Sequence, residues 1–102
     1  MKEVVIESRD ERQLCVSLVG EIDSGNADEF YKTVFATYEQ QPANVVFLCE
    51  GLEFIDSTTL GTFVKLLKRV KTDGFTMRLC GLQPKIKKLF LICSLDTIME
   101  IE

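Results

Sequence analysis

Apolar positions along this chain fall into runs whose period switches between that of a strand and that of a helix. Two short apolar-rich runs near the N-terminus, Val4 to Glu7 and Leu14 to Val19, read as strands. The charged segment Arg9-Asp10-Glu11-Arg12 lies between them, a spacing that suits a hairpin. Gly20 is expected to end the second strand. The loop that follows, Glu21-Ile22-Asp23-Ser24-Gly25-Asn26, is rich in helix-capping residues. Asn26 with Glu29 resembles a capping box, and Ser24 is the other candidate cap. Ala27, Phe30, Tyr31, Val34, Phe35 and Tyr38 then recur at i, i+3, i+4, i+7, i+8 and i+11, the clearest helical period in the chain. Gln41-Pro42 stops it.

The continuous apolar run Val45 to Cys49 predicts a central strand covered on at least one face. A second helix is expected from Ser57 to about Lys71, with Leu60, Phe63, Val64 and Leu67 at helical spacing and Gly74 as its C′ residue. Phe75 to Cys80 reads as a further strand with Met77 and Leu79 on one face. Pro84 fits the first position of a third helix. Its buried stripe is expected to be Ile86, Leu89, Phe90 and Cys93, and its wet side Lys85, Lys87 and Lys88. Thr97 to Ile101 reads as a last strand. The order is then ββαβαβαβ. Strands alternating with helices after an opening hairpin predict an α/β domain, a mixed and mostly parallel sheet covered by about three helices.

Candidate chemistry gathers at Phe54-Ile55-Asp56-Ser57-Thr58-Thr59-Leu60-Gly61, where three hydroxyls meet the start of the second helix. Asp56 is a good N-cap, which puts Ser57, Thr58 and Thr59 in a first turn whose amides lack intrahelical acceptors. A phosphate added there would meet free N–H groups and the positive end of the helix dipole. Taken alone, the same residues also describe a merely well-capped helix.

Composition narrows the chemistry further. A chain of 102 residues is one small domain, and 46% apolar with 27% charged residues fits a folded one. No apolar run approaches the roughly 20 residues that span a bilayer, and Met1-Lys2-Glu3 opens without the apolar core of a leader. A cytoplasmic location without membrane insertion is expected. Cys15, Cys49, Cys80 and Cys93 each sit among Leu, Val or Ile and are expected as buried free thiols. With no histidine, no CxxC and no phosphate-binding glycine loop, neither a metal, a cofactor nor ordinary enzymatic catalysis is expected. The net charge of −4 hides an asymmetry: residues 1–56 carry 4 basic and 12 acidic side chains, residues 57–102 carry 8 and 4. That describes either two solvated helices of opposite charge or a dipolar surface that orients a partner. Nucleic acid is not an expected partner, because the basic residues are few and lack interleaved aromatics.

The strand Leu14-Cys15-Val16-Ser17-Leu18-Val19-Gly20-Glu21-Ile22-Asp23, the Asp56-Ser57-Thr58 motif about thirty residues later, and the Pro84-to-Leu95 segment with Leu89-Phe90 together resemble STAS domains of the anti-sigma-factor antagonist type. The resemblance extends over nearly the whole chain and implies a single STAS domain, residues 1–102. It implies a partner switch: an unphosphorylated antagonist binds a GHKL-type serine kinase that doubles as anti-sigma factor, and so frees the kinase's client. Phosphorylation by that kinase on the serine after the motif aspartate, here Ser57, ends the interaction. A PP2C-type phosphatase reverses it. Thr58 is the runner-up phosphoacceptor, on a polar face shared with Thr62, Lys65 and Arg69. The expected partner surface is Asp23, Asp56, Ser57, Thr58 and Gly61. In it Asp56 caps the helix and orients the serine, and Gly61 leaves room for approach. Asp23 is either a partner, metal or nucleotide contact or a plain loop cap. Thr59 is expected to face inward and to pack or cap.

Two features depart from the family pattern. Thr59 stands where members usually carry glycine or another small residue. The sequence stops at Glu102, where many members add a helix, so a surface they cover is expected to be open to a dimer or partner contact. A monomer or weak dimer is expected. Other readings of the same residues are a STAS adaptor that is not phosphorylated, within an assembly such as a lipid-transport ATPase complex, a nucleotide or small-molecule sensor at Asp23 and Asp56, and a redox sensor using the cysteines.

Overall fold

The computed structural model describes the backbone of residues 2–9 and all of residues 12–102. The predicted turn residues Asp10 and Glu11 lie outside the described set. Strands β1 (Lys2–Arg9) and β2 (Gln13–Ile22) form the expected antiparallel hairpin. Helix α1 (Ala27–Gln40), strand β3 (Asn44–Ile55), helix α2 (Ser57–Thr72), strand β4 (Met77–Cys80), helix α3 (Pro84–Ile92) and strand β5 (Glu100–Ile101) follow. The strands lie in the order β1-β2-β3-β4-β5, with β2 to β5 mutually parallel. The α/β class, the mixed sheet and its three helices are as the sequence predicts. Among the described residues, no helix is long and apolar enough to cross a membrane.

The core lies between the helices and one face of the sheet. Along β2, Leu14, Val16, Leu18 and Ile22 are buried, while Cys15 and Ser17 on the other face are half-buried. Phe63 of α2 is the hub: its ring meets Phe30 of α1 at 5.3 Å, Phe47 of β3 at 5.3 Å edge-on, and Phe90 of α3 at 5.6 Å. One residue therefore holds three elements to a fourth, and such aromatic pairs add to the area they bury. Tyr38, also buried, donates a 2.7 Å hydrogen bond to Asp73 Oδ2 and so fastens the end of α1 to the end of α2. Burial, and after it that bond, raise the phenol's pKa.

Several element boundaries differ from expectation, each for a local reason. Gly20 does not end β2. It takes φ 84°, open to a residue without Cβ, and the strand passes through a register shift to Ile22. β3 runs to Ile55 instead of stopping near Cys49, because pairing with β2 resumes at Glu21↔Phe54 and Ile22↔Ile55. β4 begins at Met77, since the Thr76 amide donates to the Asn44 side chain at 2.9 Å and Phe75 belongs to the closure of α2. There the Phe75 amide bonds Val70 O and the Gly74 amide bonds Lys71 O, with Gly74 at φ 86°, a Schellman closure. The predicted last strand is mostly turn: Ser94 at φ 57° starts a 3₁₀ turn, Leu95–Thr97, and only Glu100–Ile101 pair with β4.

The third helix buries Ile86 and Phe90, whereas Leu89 and Cys93 are exposed. Nine residues give one i, i+4 pair a seat on the core, and Cys93 lies just past the helix end as its C-cap. The cysteines are correspondingly not all buried. Cys49 is, with its thiol pushed up to about 12 chiefly by burial, while Cys15 and Cys80 are half-buried. The charge asymmetry is partly absorbed within the fold. Lys65 lies 4.3 Å over the Tyr31 ring, Arg69 lies 5.1 Å over Phe35, and Arg69 reaches Glu39 at 3.7 Å. Replacing the hub by Phe63→Ala should cost about 3–5 kcal/mol, read from urea unfolding. A loss below about 1 kcal/mol would mean that the neighbouring rings repack to fill the space.

Candidate functional site

Pairing of Ile22 with Ile55 makes β2 and β3 leave the sheet side by side. Asp23 and Asp56 are the next residues of each chain segment, so the loop before α1 and the turn into α2 share one edge. The side chains that join them are few and fully used. Asp56 Oδ1 accepts from the Thr59 amide at 3.0 Å, the expected N-cap bond, and from the Thr59 hydroxyl at 3.1 Å. Its Oδ2 accepts from the Ser24 amide of the other loop at 2.9 Å. Thr59, 0% exposed, donates its hydroxyl also toward the carbonyl of Ile22, the last residue of β2. One carboxylate and one hydroxyl thus bridge segments more than 30 residues apart.

Asn26 departs from the predicted capping box. It occupies the N-cap position of α1 without a side-chain cap bond. Instead its Oδ1 accepts from the Asp23 amide at 2.8 Å and its Nδ2 donates to Glu21 O at 2.9 Å, which ties the loop to itself. The Ser24 side chain does not cap the helix either. The α1 start is served by the Asp23 carbonyl, which accepts from the Ala27 amide at 2.8 Å. Asp23 Oδ1 accepts from Gly25 N–H at 2.9 Å, so this carboxylate shapes its own loop. Sequence reasoning placed Thr59 inward from its position one turn before Phe63. It missed what the hydroxyl reaches, and it missed the Ser24 amide and both ends of Asn26. Only residue type gave a signal there: small polar residues clustered in a loop after a strand.

Ser57 and Thr58 are exposed at the first turn of α2. Gly61 is exposed one turn on, and a Cβ built there meets nothing within 4 Å. The fold itself does not demand glycine at that position. Beside the turn, Glu53, Phe54, Ile55, Lys85, Ile86 and Leu89 line an open groove of about 190 Å³. Phe54 is 47% and Leu89 38% exposed, an apolar patch rimmed by charge next to a phosphate-compatible helix end. Among the described residues, no three acidic or thiol side chains converge as a metal site requires. This edge is chemically suited to recognition of a protein surface.

The model of the STAS domain family matches residues 3–102. The chain belongs to the STAS domain family. It is 31% identical over 93 residues to the anti-sigma-B factor antagonist of Bacillus subtilis, covering 91% of this chain and 84% of that protein. The crystal structure of an anti-sigma factor antagonist from Mycobacterium paratuberculosis matches with a TM-score of 0.83 at 22% identity, over 99% of this chain and 85% of that one. The anti-sigma factor antagonist SpoIIAA matches in its unphosphorylated form (TM-score 0.77, 16% identity, 98% of this chain and 87% of that one). The Bacillus cell fate determinant SpoIIAA in its phosphorylated form matches with a TM-score of 0.72 at 18% identity, over 98% of this chain and 91% of that one. At these identities the structural likeness is one of fold.

The bonds to Asp56 have a pH signature. The Thr59 amide, then the Ser24 amide and the Thr59 hydroxyl, hold its carboxyl below the ordinary range in the folded STAS domain. As pH falls, the unfolded chain takes up this proton first. The stabilisation is therefore complete above about pH 4 and erodes below it. Between about pH 5 and pH 3, the urea midpoint of the wild type should fall further than that of Asp56→Asn. Parallel declines would show that the ionised form of Asp56 does not stabilise the fold over this range.

Proposed function

We propose that this STAS domain is an anti-sigma factor antagonist of the partner-switching kind, acting in the cytoplasm by binding rather than catalysis. Its unphosphorylated form binds a GHKL-type serine kinase that is also an anti-sigma factor, and so releases that kinase's client. The binding surface is the edge formed by Asp23, Asp56, Ser57, Thr58 and Gly61. The observation that carries this reading is the exposed Ser57 hydroxyl at the first position of α2, directly after an aspartate that ties the turn to the neighbouring loop.

Phosphorylation moves the γ-phosphoryl group of ATP to Ser57 Oγ, with cleavage of its bond to ADP and loss of the hydroxyl proton to the kinase. The product carries about −1.5 to −2 charges at neutral pH. A helix N-terminus tolerates that charge, so the fold survives. The partner interface does not, because the new charge adds to Asp56 and Asp23 at one edge and repels an acidic docking surface. A PP2C-type phosphatase hydrolyses the ester and restores binding. The names of the relatives support the antagonist role, and the exposed Phe54 and Leu89 beside the turn supply the apolar area a protein partner needs.

Intact-mass spectrometry after incubation with a candidate cognate serine kinase and ATP tests this. Wild type and Thr58→Ala should each gain one phosphate and Ser57→Ala none. Ser57→Asp should bind the kinase at least about tenfold more weakly than wild type. An active kinase that binds the wild-type protein yet leaves it unphosphorylated would overturn the switch and favour the STAS adaptor.

A further inference from the structure

Apart from Tyr38, whose phenol is bonded to Asp73, and the Cys49 thiol, two polar side chains among the described residues are buried: Asn26 at 7% and Thr59 at 0% exposure. Both stand at the junction of the two loops that form the proposed partner surface. Burying a hydroxyl is unfavourable unless it is bonded, and a valine of the same shape would pack there without that demand. Capping does not explain it either. The helix start is already served by the Thr59 amide on Asp56 Oδ1, and by the Leu60 amide on Asp56 O at 3.2 Å. What the hydroxyl adds is a link to Ile22 O, 37 residues away in sequence, while it also contacts the carboxylate that holds the Ser24 amide.

We propose that Thr59 is a positioning residue for partner recognition: its buried hydroxyl, shared between Ile22 and Asp56, fixes the Asp23–Asn26 loop and the Ser57 turn as one surface of set spacing. The proposal rests on the partner-switch reading for the identity of what binds, but its physical content belongs to the free protein. With the hydroxyl present, Asp56 is held where Oδ2 meets Ser24, and the strand end at Ile22 is held where its loop starts. Without it, Asp56 retains the helix cap and the Ser24 bond but loses its tie through the hydroxyl to Ile22, so the spacing of the loop and the turn is less tightly set. Partners then meet the same residues at variable spacing and bind more weakly. Thr58 has no such part, since it is exposed.

Thr59→Val and Thr59→Ala remove the hydroxyl, and Thr59→Ser retains it. In native-state hydrogen exchange of the isolated protein, the Ser24, Gly25 and Asn26 amides should exchange at least about tenfold faster in the two hydroxyl-free variants, beyond any change in global unfolding. Thr59→Ser should return them toward wild type. With a kinase that phosphorylates the wild type, the hydroxyl-free variants should show a KM for the protein substrate raised about tenfold at near-constant kcat. Exchange in the loop that follows global stability alone would overturn the proposal, as would equal loss in the serine variant. So would a KM that stays at the wild-type value while the loop loosens. If both hydroxyl-free variants fail to fold while Thr59→Ser folds, the hydroxyl is a requirement for folding and the positioning role is wrong. If no kinase phosphorylates the wild type, the switch fails as the proposed function, and loop exchange alone decides whether Thr59 fixes the two loops.

Discussion

The contacts that join the two loops of the site depend on the register in which β2 ends against β3. Ile22 lies opposite Ile55, both buried, so the next residue on each segment is an aspartate leaving the sheet at the same edge. A slip of one residue would turn these isoleucines away from the core and carry Asp23 and Asp56 out of step. Two features pin the register. Gly20 at φ 84° absorbs an irregularity late in β2, and Gly51 lets β3 approach closely enough that a Cβ there would stand 3.1 Å from Val19 Cγ2. The hydrophobic core sets the alignment, and the carboxylate and hydroxyl then act across a gap that is already small.

Core and site also meet in α2. Phe63 anchors that helix among three other elements, and Thr59, one turn earlier on the same face, points the same way. The first turn is thus fixed on its inner side, while Ser57 and Thr58 are left to solvent on its outer side. The basic residues farther along α2 do different work. Lys65 and Arg69 lie over aromatic rings of α1, and Arg69 also meets Glu39 and Asp73. Part of the charge imbalance between the halves of the sequence is therefore spent in joining two helices.

Much of this was legible in the sequence because it is local. The period of Phe30, Val34 and Tyr38, Asp56 before three hydroxyls, Pro84 at a helix start and Gly74 at a helix end all act through neighbours within a turn. Some of the features that failed to show depend on partners distant in sequence. Glycine usually weakens a strand, so Gly20 read as a stop, and nothing local reveals that β3 is waiting to continue the pairing. Asn26 looked like a cap because its type favours caps, yet a carbonyl at Glu21 and an amide at Asp23 compete successfully for its side chain. Leu89 continues the apolar period on a side of the helix that the core does not cover, and Cys93 lies past the helix end.

Thr59 joins the two kinds of information. Its inward direction follows from spacing, but its worth as a link follows only from where Ile22 ends. In the proposed switch this matters for how inhibition is divided between the fold and the interface. Asp56 already draws on the amides of Ser24, Thr58 and Thr59. A phosphate on Ser57 adds acceptors to the same small set of donors and about −1.5 to −2 charges beside a carboxylate held ionised by them. Because the core side of α2 is fixed by Phe63 and Thr59, the strain of that competition cannot be relieved by moving the helix. It falls on the exposed edge, where Ser24 reaches Asp56 from an exposed loop. The charge and the loosened loop then act in the same direction on a docking partner, while the sheet and helices beneath remain as they are.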